Sequence, residues 1–168
     1  MTYWLLTDIE HAVRASWGAD TCTPEYRDRW TPDNPARDQC GVTAMVLNDL
    51  LGGELIRGTV HVDGEQTDFH WWNRLGMGVE IDLTREQFAP QEIVSGGVVI
   101  PRPAEIVRLR AEYELLRERV LARLDEARGS GGRWSRCESP ARDRHTARRP
   151  GAGRPVRVPA RTRAGPYS

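Results

Sequence analysis

Three side chains of this sequence, Cys40, His70 and Asp82, are of the types that thiol chemistry needs, in the order nucleophile, base, orienting acid. Cys40 opens the small and apolar run Gly41-Val42-Thr43-Ala44, directly behind a polar stretch. A cysteine at the start of a helix faces unpaired N–H groups and roughly half a positive charge, and both favour the reactive thiolate. The same N–H groups, Cys40's own amide first, would stabilise an oxyanion, and Gln39 would add a side-chain donor. His70 lies mid-strand between Phe69 and Trp71, where it would take the thiol proton. Asp82, on the next strand-like stretch, would hold the other ring nitrogen. Such a group attacks an amide, ester or thioester carbonyl, and water or an amine completes the turnover.

Each residue also has a plainer reading. A lone cysteine on a small-residue helix is more often packing, a lone strand histidine more often a satisfied core residue, and an aspartate after alternating apolar residues more often an exposed face. The order helix, strand, strand is what favours the chemical reading, because it is the layout of papain-like thiol enzymes. The competing function is a non-catalytic binding or regulatory domain in which Cys40 is core. Hairpin register decides between them. A two- or four-residue connection centred on Gly76-Met77 sets His70 against Leu83 and turns Asp82 away, whereas a three-residue connection, Leu75 to Met77, pairs His70 with Asp82. Trp72 and Arg74 share the face of His70 and are candidates for a substrate cleft, while Asn73 points away. His61 is the spare histidine. Cys22 with Cys40 lacks metal-ligand spacing, so no metal or other cofactor is expected.

The elements that must position these residues follow from the pattern. Thr7-Asp8-Ile9-Glu10 matches a capping box and starts a helix from about Asp8 to Ser16. Residues 18–38 carry Pro24, Pro32 and Pro35 and predict a long irregular segment of the kind that shapes sites. Gln39 to Leu51 reads as a buried helix stopped by Gly52-Gly53. Glu54 to Val62, Phe69 to Arg74 and Val79 to Leu83 alternate as the strands of a small antiparallel sheet. Thr84-Arg85-Glu86-Gln87 is a further capping signature, and Phe88 packs the short turn that follows. A loop bearing Gly96-Gly97, Pro101 and Pro103 leads to a long helix over Ala104 to Ala127, whose stripe Ile106, Leu109, Tyr113, Leu116, Val120 and Leu124 caps the core.

Composition sets the limits. All 24 basic residues are arginine; residues 1–128 hold 14 of them against 22 acids, and residues 129–168 hold 10 against 2. The first segment is the α+β domain, and five of its residues are tryptophan, which supply large apolar area. The second, with Cys137 and His145, is Gly, Pro, Ser and Arg with almost no aliphatic residues, and is expected to be disordered. The acidic body argues against nucleic acid as a partner, leaving only weak attachment through the basic tail. No apolar run is long enough for a membrane span and no secretory leader is visible, so a cytoplasmic protein acting on a small-molecule or peptide acyl substrate is expected.

The motifs Trp30-Thr31-Pro32-Asp33-Asn34-Pro35-Ala36, Gln39-Cys40-Gly41-Val42-Thr43-Ala44, Gly52-Gly53-Glu54, His70-Trp71-Trp72-Asn73-Arg74 and Asp82-Leu83-Thr84 occur here in one order. Over about residues 4–124 that series resembles the YunG family of small bacterial proteins. The resemblance implies a papain-like α+β domain whose Cys, His and Asp correspond to Cys40, His70 and Asp82.

Overall fold

The structure, a computed structural model, describes residues 4–129; the basic segment, with Cys137 and His145, lies outside the described residues. Seven regular elements follow in order: α1 (Leu6–Arg14), α2 (Cys40–Leu51), β1 (Glu54–Val62), β2 (Glu65–Arg74), β3 (Glu80–Ile81), β4 (Ile93–Ile100) and α3 (Arg110–Gly129). The strands form one antiparallel sheet in the order β3-β2-β1-β4, so the class is α+β. No helix of the described residues is long and apolar enough to cross a membrane.

The helices make one layer. Ile9, Ala12 and Val13 of α1, Val42, Val46 and Leu47 of α2, and Leu116, Val120 and Leu124 of α3 are buried together, joined by Trp17, by Ile81 of β3 and by Leu83 just after it. This apolar burial is the main force holding α3 over the body, as its stripe predicts. Trp17 Nε1 donates to Thr43 Oγ1 at 2.9 Å, which satisfies both polar atoms inside that layer. On the sheet side, Leu55 is buried and Asn73 Nδ2 donates to the Ala44 carbonyl at 2.9 Å. The odd-numbered residues of β2 therefore face α2, and the even-numbered His70 and Trp72 face the other way.

Several sequence expectations change. Strand β2 begins at Glu65 rather than Phe69, and β3 spans only Glu80–Ile81 rather than Val79 to Leu83. Helix α1 begins earlier than Thr7 predicts, because the carboxylate of Asp8 accepts the Leu5 N–H at 3.0 Å and Glu10 pairs with Arg14 instead of capping. Helix α3 starts at Arg110, after a bent segment that ends at Leu109 with φ of 60°. The segment around Gly96-Gly97 is a fourth strand and no loop: Arg57 pairs with Val98 and Thr59 with Ser95, so the two glycines together oppose Gly58 in a bulge. Gly58 is required there, since a Cβ would stand 2.9 Å from the Ser95 carbonyl oxygen and 2.9 Å from the Trp72 ring. Finally, the β2–β3 register is neither of the two weighed. Arg74 pairs with Glu80 and Asn73 with Ile81, and the Leu75 N–H donates to Val79 at 2.7 Å across the turn Gly76–Gly78. The parity of this register leaves His70 and Asp82 on one side.

Candidate functional site

His70 is fully buried, and both ring nitrogens are engaged. Nε2 lies 2.7 Å from Asp82 Oδ2, and Nδ1 lies 3.3 Å from the Gln87 side-chain nitrogen. The orientation of that amide is set by two other bonds: Gln87 Nε2 donates to the Thr84 carbonyl at 3.0 Å, and Gln87 Oε1 accepts the Asp38 N–H at 3.1 Å. An amide nitrogen only donates, so Nδ1 is the lone-pair side of the imidazole and Nε2 carries the hydrogen given to Asp82. The far oxygen of Asp82 accepts the Thr84 N–H at 3.2 Å and hydroxyl at 3.3 Å, which anchors the carboxylate. Phe88 meets the ring edge-on at 4.8 Å between centroids, and Trp72 stacks on it at 5.6 Å.

Cys40 is the first residue of α2, with the backbone N–H groups of Trp71 and Gly41 directed at its sulfur and acting to lower its pKa. Trp71 directly follows His70, and β3 has ended at Ile81, before it reaches the position opposite Trp71. The thiol thus occupies the edge of β2 where a longer β3 would run. Burial pushes the Cys40 pKa up to about 12; the Trp71 and Gly41 N–H groups oppose the rise, and the charges of Asp68 and Asp38 add to it. This corrects the thiolate expected from the helix terminus, because loss of solvent outweighs the N–H groups and dipole.

A pocket of about 300 Å³ opens beside the thiol, with Cys40, Asp38, Arg57, Trp71, Gln87 and Phe88 among its walls. Arg37, another wall, is clamped by Glu92 through bonds of 2.8 and 2.9 Å. Arg57 has its guanidinium over Phe69 at 4.7 Å and Trp71 at 5.7 Å, and it makes no ion pair among the described residues. Asp38 adopts φ of 57° two residues before Cys40. Its Oδ2 is buried without a hydrogen bond, 3.6 Å from Arg37 Nε, and desolvation holds the carboxyl above its ordinary pKa.

Other residues singled out by sequence lie elsewhere. Gln39 is sealed, its amide nitrogen donating to the Gly18 carbonyl at 2.8 Å and its oxygen accepting from Thr21 at 2.9 Å, so its side chain is turned away from the pocket. Trp72 lies against Gly58 and Gly97 and donates to Glu80 at 3.0 Å, while Arg74 pairs with Glu80 at 2.8 Å; neither lines the pocket. The tryptophan at the pocket is Trp71, one residue earlier. His61 meets Ser95 Oγ at 3.2 Å on the far part of the sheet, and Cys22 is buried with its thiol pushed up to about 11 by desolvation. Gln87 is a site residue that the sequence does not single out: Thr84-Arg85-Glu86-Gln87 reads as a capping signature, yet no side-chain cap forms there, the Thr84 N–H going to Asp82 and the Gln87 amide to the Thr84 carbonyl.

Comparison with known proteins adds a family. Residues 5–125 match the family model described as YunG protein. A relative in Bacillus subtilis (strain 168), named Uncharacterized protein YunG, is 33% identical over 85 residues, which cover 50% of this chain and 64% of the relative. The match therefore spans less than two thirds of that relative's length. No solved structure matches the chain.

Proposed function

The chain belongs to the YunG family, and on that footing we propose that it is a thiol-dependent acyl-transfer enzyme of papain-like layout, with Cys40 as nucleophile and His70 and Asp82 handling the proton. One observation carries the reading. The sulfur of Cys40 rests on the backbone N–H of the residue after His70, while the Nε2 of His70 is fixed by Asp82 and its Nδ1 presents a lone pair.

At rest the Cys40 thiol keeps its proton, and the Nδ1 lone pair of His70 faces the Gln87 amide. The Gln87 amide holds Nδ1 by a long bond of 3.3 Å, and displacement of that amide frees the lone pair for the Cys40 proton. The proton moves from Sγ to Nδ1 as sulfur bonds to the substrate carbonyl carbon. The Cys40 amide, one of the N–H groups without an intrahelical acceptor, stabilises the resulting oxyanion. Collapse breaks the bond to the leaving group, which departs with the proton from Nδ1 and leaves a thioester on Cys40. Water or an amine then attacks and gives a proton to Nδ1, and collapse breaks the carbon–sulfur bond, the departing sulfur taking that proton back from Nδ1 as the free thiol. Asp82 keeps the hydrogen on Nε2 throughout and stabilises the transient imidazolium. A reducing cytoplasm suits a working thiol of this kind.

The test is to trap the thioester. Brief treatment with p-nitrophenyl acetate, acid quench and peptide mass analysis is expected to find one acetyl group on Cys40, absent in Cys40→Ala. Full turnover without acetyl on Cys40 in the quenched enzyme would overturn the assignment.

The second reading, a binding domain, is favoured by the sealing of His70 behind Gln87 and Phe88 together with the raised thiol pKa. It predicts no acyl adduct on Cys40.

A further inference from the structure

A second pocket, of about 290 Å³, adjoins the first. Val42, Met45, Leu55 and Ile106 give it apolar walls, Glu105 lies at its lining too, and Gly41, Trp71, Arg108 and Leu109 belong to both pockets. Gly41, the residue after the thiol, stands where the two linings meet: a Cβ added there would touch Leu109 Cδ1 at 3.7 Å. Leu109 holds φ of 60°, a left-handed conformation uncommon for leucine. The first pocket is the more charged of the two, lined by Arg37, Asp38, Arg57, Asp68 and Glu92, whereas Glu105 and the shared Arg108 are the charged residues of the second.

A carbonyl attacked by Cys40 must place its acyl part on one side of the sulfur and its leaving group on the other. We propose that the acyl group is apolar, an aliphatic chain lodged in the second pocket past Gly41 and Leu109, while the polar leaving portion lies among the charged walls of the first. This rests on Cys40 as the nucleophile. Burial of one methylene stabilises by about 0.8 kcal/mol, close to a fourfold gain in rate per carbon when the gain is expressed at the reacting sulfur.

N-alkylmaleimides from methyl to hexyl test this without needing acyl chemistry. The rate at Cys40, followed by peptide mass analysis and normalised to a free thiol, is expected to rise by about fourfold per carbon. The hexyl-to-methyl ratio is expected to collapse toward one in Met45→Trp, which fills the pocket, and in Ile106→Glu, which charges a wall on an irregular segment. A flat chain-length profile in the wild type, or a ratio unchanged in both variants, would overturn the proposal. In His70→Ala the ratio persists whatever becomes of acylation, so failure of the pocket assignment and failure of the acyl-transfer reading register separately.

Discussion

His70 Nε2 and Asp82 Oδ2 stand 2.7 Å apart on neighbouring stretches of chain, with the imidazole fully buried and the carboxylate held from behind by Thr84. A buried ring this firmly bonded has one orientation, and its lone pair has one direction. Replacing Asp82 by Asn alters that: an amide nitrogen turned toward the ring would demand the opposite tautomer. Acylation of Cys40 is expected to slow by about 10²- to 10⁴-fold in Asp82→Asn, with the fold retained. Wild-type rates in a variant with an unchanged melt would remove Asp82 from the proton path.

Gln87 sets the lone-pair side of the same ring, since its nitrogen donates to Nδ1 and its oxygen is bound by the Asp38 N–H. Gln87→Glu puts acceptors where a donor stood and favours hydrogen on Nδ1. Gln87→Ala removes the competitor instead. The Glu variant is expected to acylate about tenfold or more slower than the Ala variant, with its pH profile displaced, consistent with a general base whose protonation has been altered. Equal rates and profiles would make Gln87 merely structural.

The Cys40 thiol, pushed up to about 12 by burial, should show no thiolate plateau in the neutral range. Iodoacetamide alkylation of Cys40 is expected to climb with pH from 6 to 10 without levelling. A plateau at or below the ordinary cysteine value of about 8.5 would contradict a desolvated thiol.

Asp38 supplies a stability test with a definite sign. Its folded pKa is raised by desolvation, so its contribution to stability is present below the ordinary aspartate value of about 3.9 and is lost as pH rises through the folded value. At neutral pH the charged carboxylate therefore opposes folding. Asparagine tolerates the left-handed backbone at this position, and Asp38→Asn is expected to melt higher than wild type at pH 8, with the gap closing below about pH 4. A lower melt at pH 8 would refute this.

Gly58 is closely packed behind the site, closed by the Ser95 carbonyl and the Trp72 ring. Gly58→Ala is expected to destabilise by about 1–3 kcal/mol in urea unfolding, because the ring that stacks on His70 must move. A neutral effect would show that Trp72 yields freely.

Much of this geometry was legible in the sequence. Alternation placed β1 at the bounds found, and set Trp72 and Arg74 on the side of His70 with Asn73 opposite. Period two also makes the His70–Asp82 side insensitive to a register shift of two residues, so the pair met although the turn fell at Gly76–Gly78. Less legible was whatever depends on distant chain. Gly96-Gly97 looks like a loop because glycine marks loops and bulges alike, and only pairing with Gly58 distinguishes them. Gln87 meets Asp38 and His70 across long sequence separations that local patterns do not encode. Helix position alone gave the wrong direction for the Cys40 thiol, because the dipole is local while desolvation comes from the packed whole.

The central claim is that Cys40 and His70 act as one unit, and its most direct measurement is the single-turnover acylation rate of Cys40 by p-nitrophenyl acetate in wild type and His70→Ala, each shown folded by its thermal melt. The account predicts a fall of about 100-fold or more, partly restored by added imidazole. Equal rates in the two folded proteins would contradict it.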